Sequence, residues 1–412
     1  MRNTRRLSVL LLAAVAVMTL GGFLLKAQCI GDYNEIRDSH LCSNDIQVLY
    51  LNRHLDQKQF PYIHGELVHR QYSNGQPYDD LTGGTLEYPV LTGLFAWFPA
   101  LFVDNDGSYL ELTSLLLAPF SLLTVWLLGK MVRWRAFLFA LAPPLVWYSF
   151  HNWDLLVVCA TVGAFYAWWR QRYAWCGAWL AVGASLKFWP LFFLLPLVLE
   201  RFAQHDRKAA LRGVLAFAWV YAAVNGPFVL ASPKGWFAPY AFQKDRAADV
   251  TSNSIWYWGL PDLTTDDLNA LIPVLLAIGT LVACGWGWHR ARTEGLFPFV
   301  QVCGALLVLF LLTNKAHSPQ YALWLLPFFC LVRLRWGWFA AYMTLDLLLY
   351  VGLFRWFYAL GQPQIPDYGL AYQAMILGIW GRAAMLVLLF VVLLRAKPAL
   401  RPLPSTHAAV GT

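Results

Sequence analysis

Asp45, Glu87, Tyr88, Asp154, Lys187, Lys315, His317 and Gln320 are the residues of this chain whose types and surroundings can do chemistry. Asp45 follows a short polar stretch and precedes Ile46, Val48, Leu49 and Leu51, an apolar-rich run that reads as an interfacial helix. A carboxylate there suits a general base taking a hydroxyl proton. The helix N-terminus would hold its pKa low and burial by substrate would raise it; a helix cap or a solvated aspartate is the other reading. Asp32 is the second candidate, whereas Asp79 and Asp80, beside Pro77 and Gly83, read as turn residues. Glu87-Tyr88-Pro89 is either a helix start, with proline at the first position, or a pair of groups that bond substrate hydroxyls. Lys187, before Trp189-Pro190, either snorkels to an interface or grips an anion. Lys315 and His317 combine a point charge suited to phosphate with a hydrogen-bond or proton donor, the alternative being an exposed turn. Gln320 and Tyr321 fall next to them. Asp154 enters an apolar segment, where a carboxylate needs a partner or water, so a structural pair and a substrate contact both fit.

The elements that must position these groups are membrane helices. The chain has 412 residues, 59% of them hydrophobic and 13% charged, with mean hydropathy +0.49; a soluble domain carries about 25% charged residues. Long apolar runs without a polar stripe recur, and about 18 such residues cross a hydrocarbon core. Basic residues collect in seven short clusters, at Arg2/Arg5/Arg6, Lys130/Arg133/Arg135, Arg170/Arg172, Arg201/Arg207/Lys208/Arg212, Arg290/Arg292, Arg333/Arg335 and Arg395/Lys397/Arg401. All seven face the cytoplasm if about twelve helices cross the bilayer. The expected spans are 7–25, 109–129, 136–150, 153–169, 174–187, 189–200, 212–231, 270–288, 297–313, 321–332, 337–357 and 371–394, with both termini inside. Val90–Val103 breaks that parity and reads as re-entrant or interfacial.

The expectation is an all-α polytopic bundle forming one membrane domain over 1–412. Its first extracytoplasmic loop is 26–88, a second long one is 232–269, and 395–412 is a cytoplasmic tail. Length invested on the outer face places the work there. Residues 1–25 read as an uncleaved first span, since Leu25-Lys26-Ala27-Gln28 is a poor cleavage site. Cys29 and Cys42 share the first outer loop, in an oxidising compartment, and either pair or stay free. The other five cysteines fall in or beside spans as packing residues. Asp346 lies within a span, nine residues before Arg355 and so beyond helical pairing reach; Arg382 on the last span is a candidate partner, in a structural role.

Five short stretches, in order, resemble the motifs of a known family. They are Ser43-Asn44-Asp45-Ile46-Gln47-Val48-Leu49-Tyr50, Glu87-Tyr88-Pro89-Val90-Leu91, His151-Asn152-Trp153-Asp154-Leu155-Leu156, Leu186-Lys187-Phe188-Trp189-Pro190 and Asn314-Lys315-Ala316-His317-Ser318-Pro319-Gln320-Tyr321. The resemblance is to polyprenol-phosphate-mannose-dependent mannosyltransferases of the glycosyltransferase-C superfamily, family 87, of mycobacterial and other actinobacterial type. Val90 stands where many members have a second proline. The resemblance implies a glycosyltransferase-C bundle that moves a hexose, mannose foremost, with inversion. It implies a polyprenyl phosphate sugar as donor and a lipid-linked envelope glycan, of phosphatidylinositol mannoside or lipomannan type, as acceptor. It implies Asp45 as base, Lys315, His317 and Lys187 at the donor phosphate, and Glu87, Tyr88, Asp154 and Gln320 at the substrates.

The net charge of +8 is spread over loop ends that orient helices and meet anionic lipid, so no nucleic acid is expected as a partner. No cluster has zinc-ligand spacing, and neither a metal nor another cofactor is expected. Two rival classes are a lipid or polysaccharide transporter and a non-catalytic scaffold of envelope assembly. A transporter predicts charges at mid-membrane depth and related halves, whereas the polar residues here crowd one face.

Overall fold

The computed structural model describes residues 2–71, 77–366 and 368–401, so 402–412 of the expected tail lie outside the described residues. Among the described residues, six helices are long and apolar enough to cross a membrane: Arg5–Ala27, Asp106–Ala140, Arg207–Ala231, Thr265–Glu294, Trp336–Leu360 and Leu370–Arg395. The chain is a multi-pass membrane protein, nearly all helical.

The other expected spans fold as shorter pieces. Asp154–Trp169, Tyr173–Leu186 and Phe299–Thr313 have 16, 14 and 15 residues, or roughly 20–24 Å at about 1.5 Å per residue against a core of about 30 Å. Asp154–Trp169 and Phe299–Thr313 are buried on nearly every side, and so is the second half of Tyr173–Leu186, which is why they are apolar all round and look like spans in sequence. Expected span 136–150 is broken into Phe137–Ala140 and Pro144–Tyr148, because Pro143 and Pro144 interrupt the hydrogen-bond ladder. Val90–Ala100 is a helix of 11 residues with both ends tied to the first loop. Tyr62 donates to the carbonyl of Tyr88 at its head, and Trp97 to that of Lys58 near its foot.

One part of the first loop departs from an all-α reading. Glu66–Gln71 and Pro77–Thr82 pair as an antiparallel hairpin, Glu66 opposite Thr82. Asp79 and Asp80, expected in a turn, are therefore strand residues. Their charges are used across the ladder and beside it, Asp79 with His69 at 2.6 Å and Asp80 with Arg70 at 3.0 Å. The turn comes after them, where Gly83 takes φ +63° and an added Cβ would lie 2.0 Å from the His64 carbonyl oxygen. In the second loop, Pro233–Asp245 and Ile255–Gly259 are helical.

Basic clusters from distant segments meet at one end of the bundle. Arg135 donates to the carbonyls of Phe329, Cys330 and Val332 at the end of Ala322–Leu331. Arg290 donates to the Leu394 carbonyl, Trp169 to that of Arg401, and the Arg333 amide to that of Lys397. The loops that carry Asp45, Glu87, His151, Lys187 and Gln320 gather at the other end.

Candidate active site

Asp45 opens the helix Asp45–Asn52 without having to cap it. Asn44 takes that role, its side chain accepting from the Gln47 amide at 2.9 Å and donating to the Gln47 side chain at 2.8 Å. The Asp45 carboxylate is thus left to face a cavity. The stretch before it is clamped from three sides: Cys42 is disulfide-bonded to Cys29, Lys26 donates to the Ser43 carbonyl at 2.9 Å, and His151 meets the same oxygen at 3.0 Å. The Asp45 amide donates back to the His151 carbonyl at 2.7 Å.

The cavity has a volume of about 490 Å3, within the range of roughly 300–1,000 Å3 that ligand pockets occupy. Asp45, Glu87, Tyr88, Lys187, Arg246 and Gln320 are on its wall. Asn152 is the hub beneath it. Its amide nitrogen donates to Asp45 Oδ2 at 2.7 Å and to the Tyr88 hydroxyl at 2.6 Å, while its oxygen accepts from the Trp153 amide and, at 3.4 Å, from Lys187. Gln320 also donates to Asp45 Oδ2, at 3.3 Å, and its own Oε1 has no partner among the described residues. Burial raises the Asp45 carboxyl to about 6; the Asn152 hydrogen bond opposes the rise, Glu87 adds to it, and Lys187 opposes it. The carboxyl thus lies above its ordinary range, not below it as the helix terminus alone would place it. His151, 3.9 Å from Asp45, is pushed well below its ordinary pKa by burial and then by Lys26, so it is neutral there.

Lys187 sits between two roles. Its ammonium is 3.3 Å from Asp154 Oδ1 and 4.2 Å from the Tyr88 ring centre, yet it borders the cavity. Asp154 is fully buried, also accepts from the Trp324 indole at 2.9 Å, and is not on the cavity wall. Its pairing with Lys187 is the structural one of the two readings. Glu87 accepts a forked pair from Arg53, at 2.8 and 3.2 Å.

Lys315 and His317 do not reach this cavity. The Lys315 ammonium donates to the Lys244 carbonyl at 2.6 Å and to Asn269 Oδ1 at 2.7 Å, and burial lowers it to about 8. His317 places Nδ1 on the Leu311 carbonyl at 2.9 Å and Nε2 on Arg382 at 2.8 Å; burial, then Arg382, push it down to about 3. It is a neutral imidazole that donates one way and accepts the other. Arg382 in turn holds Asp346 at 3.3 Å. Asp32 heads the short helix Tyr33–Ile36, off the cavity wall.

Arg246 was not singled out from sequence. It borders the cavity and makes no side-chain hydrogen bond or ion pair among the described residues. Its surroundings, with no motif around it, gave no local signal. Asn152 lay inside a recognised motif, but its bonds to Asp45 and Tyr88 required the fold.

Residues 86–313 match glycosyltransferase family 87. The chain belongs to that family. It is a membrane glycosyltransferase, which uses a sugar donor and an acceptor in contact with lipid. A search of curated proteins gave no match. For this glycosyltransferase, the matched region takes in Glu87, Asn152, Lys187 and Arg246, while Asp45 and Gln320 lie on either side of it in sequence.

Proposed function

We propose that this glycosyltransferase moves a hexose, mannose by its family resemblance, from a polyprenyl phosphate donor to a lipid-linked envelope glycan on the outer face. The orientation follows from the end that collects the basic loops, which belongs on the cytoplasmic side with both termini. Asp45 accepts the proton of the acceptor hydroxyl. The acceptor oxygen bonds to the anomeric carbon from the face opposite the phosphate, the carbon–oxygen bond to phosphate breaks, and configuration inverts. With a pKa of about 6, Asp45 is mostly ionised at neutral pH and still basic enough to take a proton in the transition state.

The leaving polyprenyl phosphate gains negative charge and needs cations placed in advance. Arg246 and Lys187 border the cavity with Asp45 and take that role here. Lys315 and His317 serve at one remove. Lys315 holds the Lys244 carbonyl, two residues before Arg246, and the His317 carbonyl accepts from the Asn253 amide at 2.8 Å. Glu87, Tyr88 and Gln320 offer the polar contacts for sugar and acceptor hydroxyls. An apolar cleft of about 400 Å3 between the first helix and Asp106–Val132 has Phe150 on its wall, the residue before His151 of the cavity. It offers a lipid tail a sideways approach.

The single observation behind this reading is a carboxylate, Asp45, that shares one cavity with an arginine, Arg246, making no side-chain hydrogen bond or close ion pair among the described residues. The test uses purified protein in nanodiscs with radiolabelled polyprenyl phosphate mannose and an envelope lipid extract. Wild type is expected to move label into a more polar lipid, and Asp45→Asn to lower turnover by orders of magnitude while unfolding at the same temperature. Retained turnover in Asp45→Asn removes Asp45 as the base. No transfer by wild type from donors of any sugar returns the transporter and scaffold readings.

A further inference from the structure

A second polar cavity, of about 720 Å3, lies at the end of the bundle that collects the basic loops. Two helices connect it with the first. Asp154–Trp169 starts beside His151 and carries Trp168 of its last turn on the second cavity's wall; Phe299–Thr313 starts on that wall and ends at the loop carrying Gln320. At about 1.5 Å per residue, roughly 20 Å of apolar helix separates the two, so the transfer site does not extend into it.

Four cations border this cavity: Arg201, Arg290, Arg333 and Lys397. Arg201 is paired with Glu200, and Arg290 with Glu294 at 2.6 Å. The two acids on the wall are thereby neutralised, and two cations remain. Arg333 and Lys397 make no side-chain hydrogen bond or ion pair among the described residues. They are held next to each other, because the Arg333 amide donates to the Lys397 carbonyl at 2.8 Å and Val332 bridges Pro398. The remainder of the wall carries Trp168, Phe297 and Phe299 together with Gln171, Gln204 and Gln301, and Leu296 is 70% exposed beside the aromatic part.

We propose that this cavity binds the phosphate headgroup of an anionic phospholipid from the adjoining leaflet. Two unneutralised cations suit a phosphate anion, and basic pockets between membrane helices take such headgroups. The volume is many times that of a phosphate ion, and the aromatic wall suits the glycerol and upper acyl segment, which a free anion lacks. The inference stands on this wall alone and does not depend on the transfer reaction.

The test is native mass spectrometry of the full chain released from detergent, with dioleoylphosphatidylglycerol or dioleoylphosphatidylcholine added. Wild type is expected to retain the anionic lipid about thirtyfold better, the size two cations near an anionic membrane surface give. Arg333→Gln with Lys397→Gln is expected to abolish that preference, and each single variant to reduce it. Arg395→Gln, a cation at the same end but off this wall, is expected to keep it. Both altered side chains are exposed, so the double variant should unfold at the wild-type temperature; if it does not, the single variants carry the test. Equal retention of the two lipids by wild type, or an undiminished preference in the variants, overturns the proposal. Displacement of the lipid by millimolar inorganic phosphate overturns the lipid assignment and leaves a small-anion site.

Discussion

Asn152→Ala should shift the pH dependence of transfer upward, and the structure sets the size of the shift. The Asn152 amide nitrogen donates to Asp45 Oδ2 at 2.7 Å and so favours the ionised carboxylate, whose pKa is about 6. A hydrogen bond to a charged group contributes about 1.5–3 kcal/mol, and one pKa unit corresponds to about 1.4 kcal/mol. Its loss should therefore move Asp45 from about 6 to about 7–8. At pH 7 the ionised fraction would fall from roughly nine-tenths to roughly a quarter for a shift of about 1.5 units. Activity at pH 7 should drop about fourfold from this cause and recover toward pH 9. Glu87→Gln should do the reverse, since the Glu87 charge raises Asp45; its acidic limb should move down. The assay is kcat/KM for radiolabelled sugar transfer in nanodiscs between pH 5 and 9, which reports the free enzyme's base. An unmoved limb in both variants, or movement of both in one direction, would refute the assignment of Asp45 as the titrating base.

Arg246→Gln should raise the KM for the polyprenyl phosphate donor by about tenfold or more, the loss of one charge-assisted contact; Lys315→Met, which only supports the neighbouring segment, should do so less. An equal or larger effect of Lys315→Met on donor binding would return the phosphate to Lys315. Arg382→Met leaves fully buried Asp346 without its cation and should cost about 3–5 kcal/mol, read as a lower unfolding temperature in detergent. Adding Asp346→Leu should restore much of it, and no restoration would mean that the pair is not the source of the loss. An impermeant thiol reagent on intact cells should label nothing until reductant is added, because Cys29 and Cys42 are bonded and the other cysteines are buried; labelling beforehand would count against the bond.

Asp45 stood out as a candidate because it heads an apolar-rich run after a polar stretch and lies in a stretch that resembles a family motif; that Asn44 caps the helix and leaves the carboxylate free needed the structure. The pairing of Asp346 with Arg382 was within reach for a different reason: an intramembrane carboxylate must find a cation, and few were on offer. Lys315 and His317 were legible as residues of a polar turn but not in their direction. A turn side chain points where the surrounding loops offer partners, and here the carbonyls of Lys244 and Leu311, with Asn269 and Arg382, draw them off. Arg246 is the converse, since an arginine in an irregular segment looks like any other until the loops close over the cavity.

Composition and charge pattern alone determined that this is a helical membrane protein with its basic loops on one side, because apolar length and the cost of burying charge act locally along the chain. Local sequence did not distinguish a helix crossing lipid from one sheathed in protein, since both are apolar all round. That division between six long helices and the shorter buried ones was decided by tertiary packing. So was the site itself: Asp45, Asn152, Lys187, Arg246 and Gln320 come from five separate segments. Their mutual distances, and the burial that raises Asp45, exist only once those segments are held together.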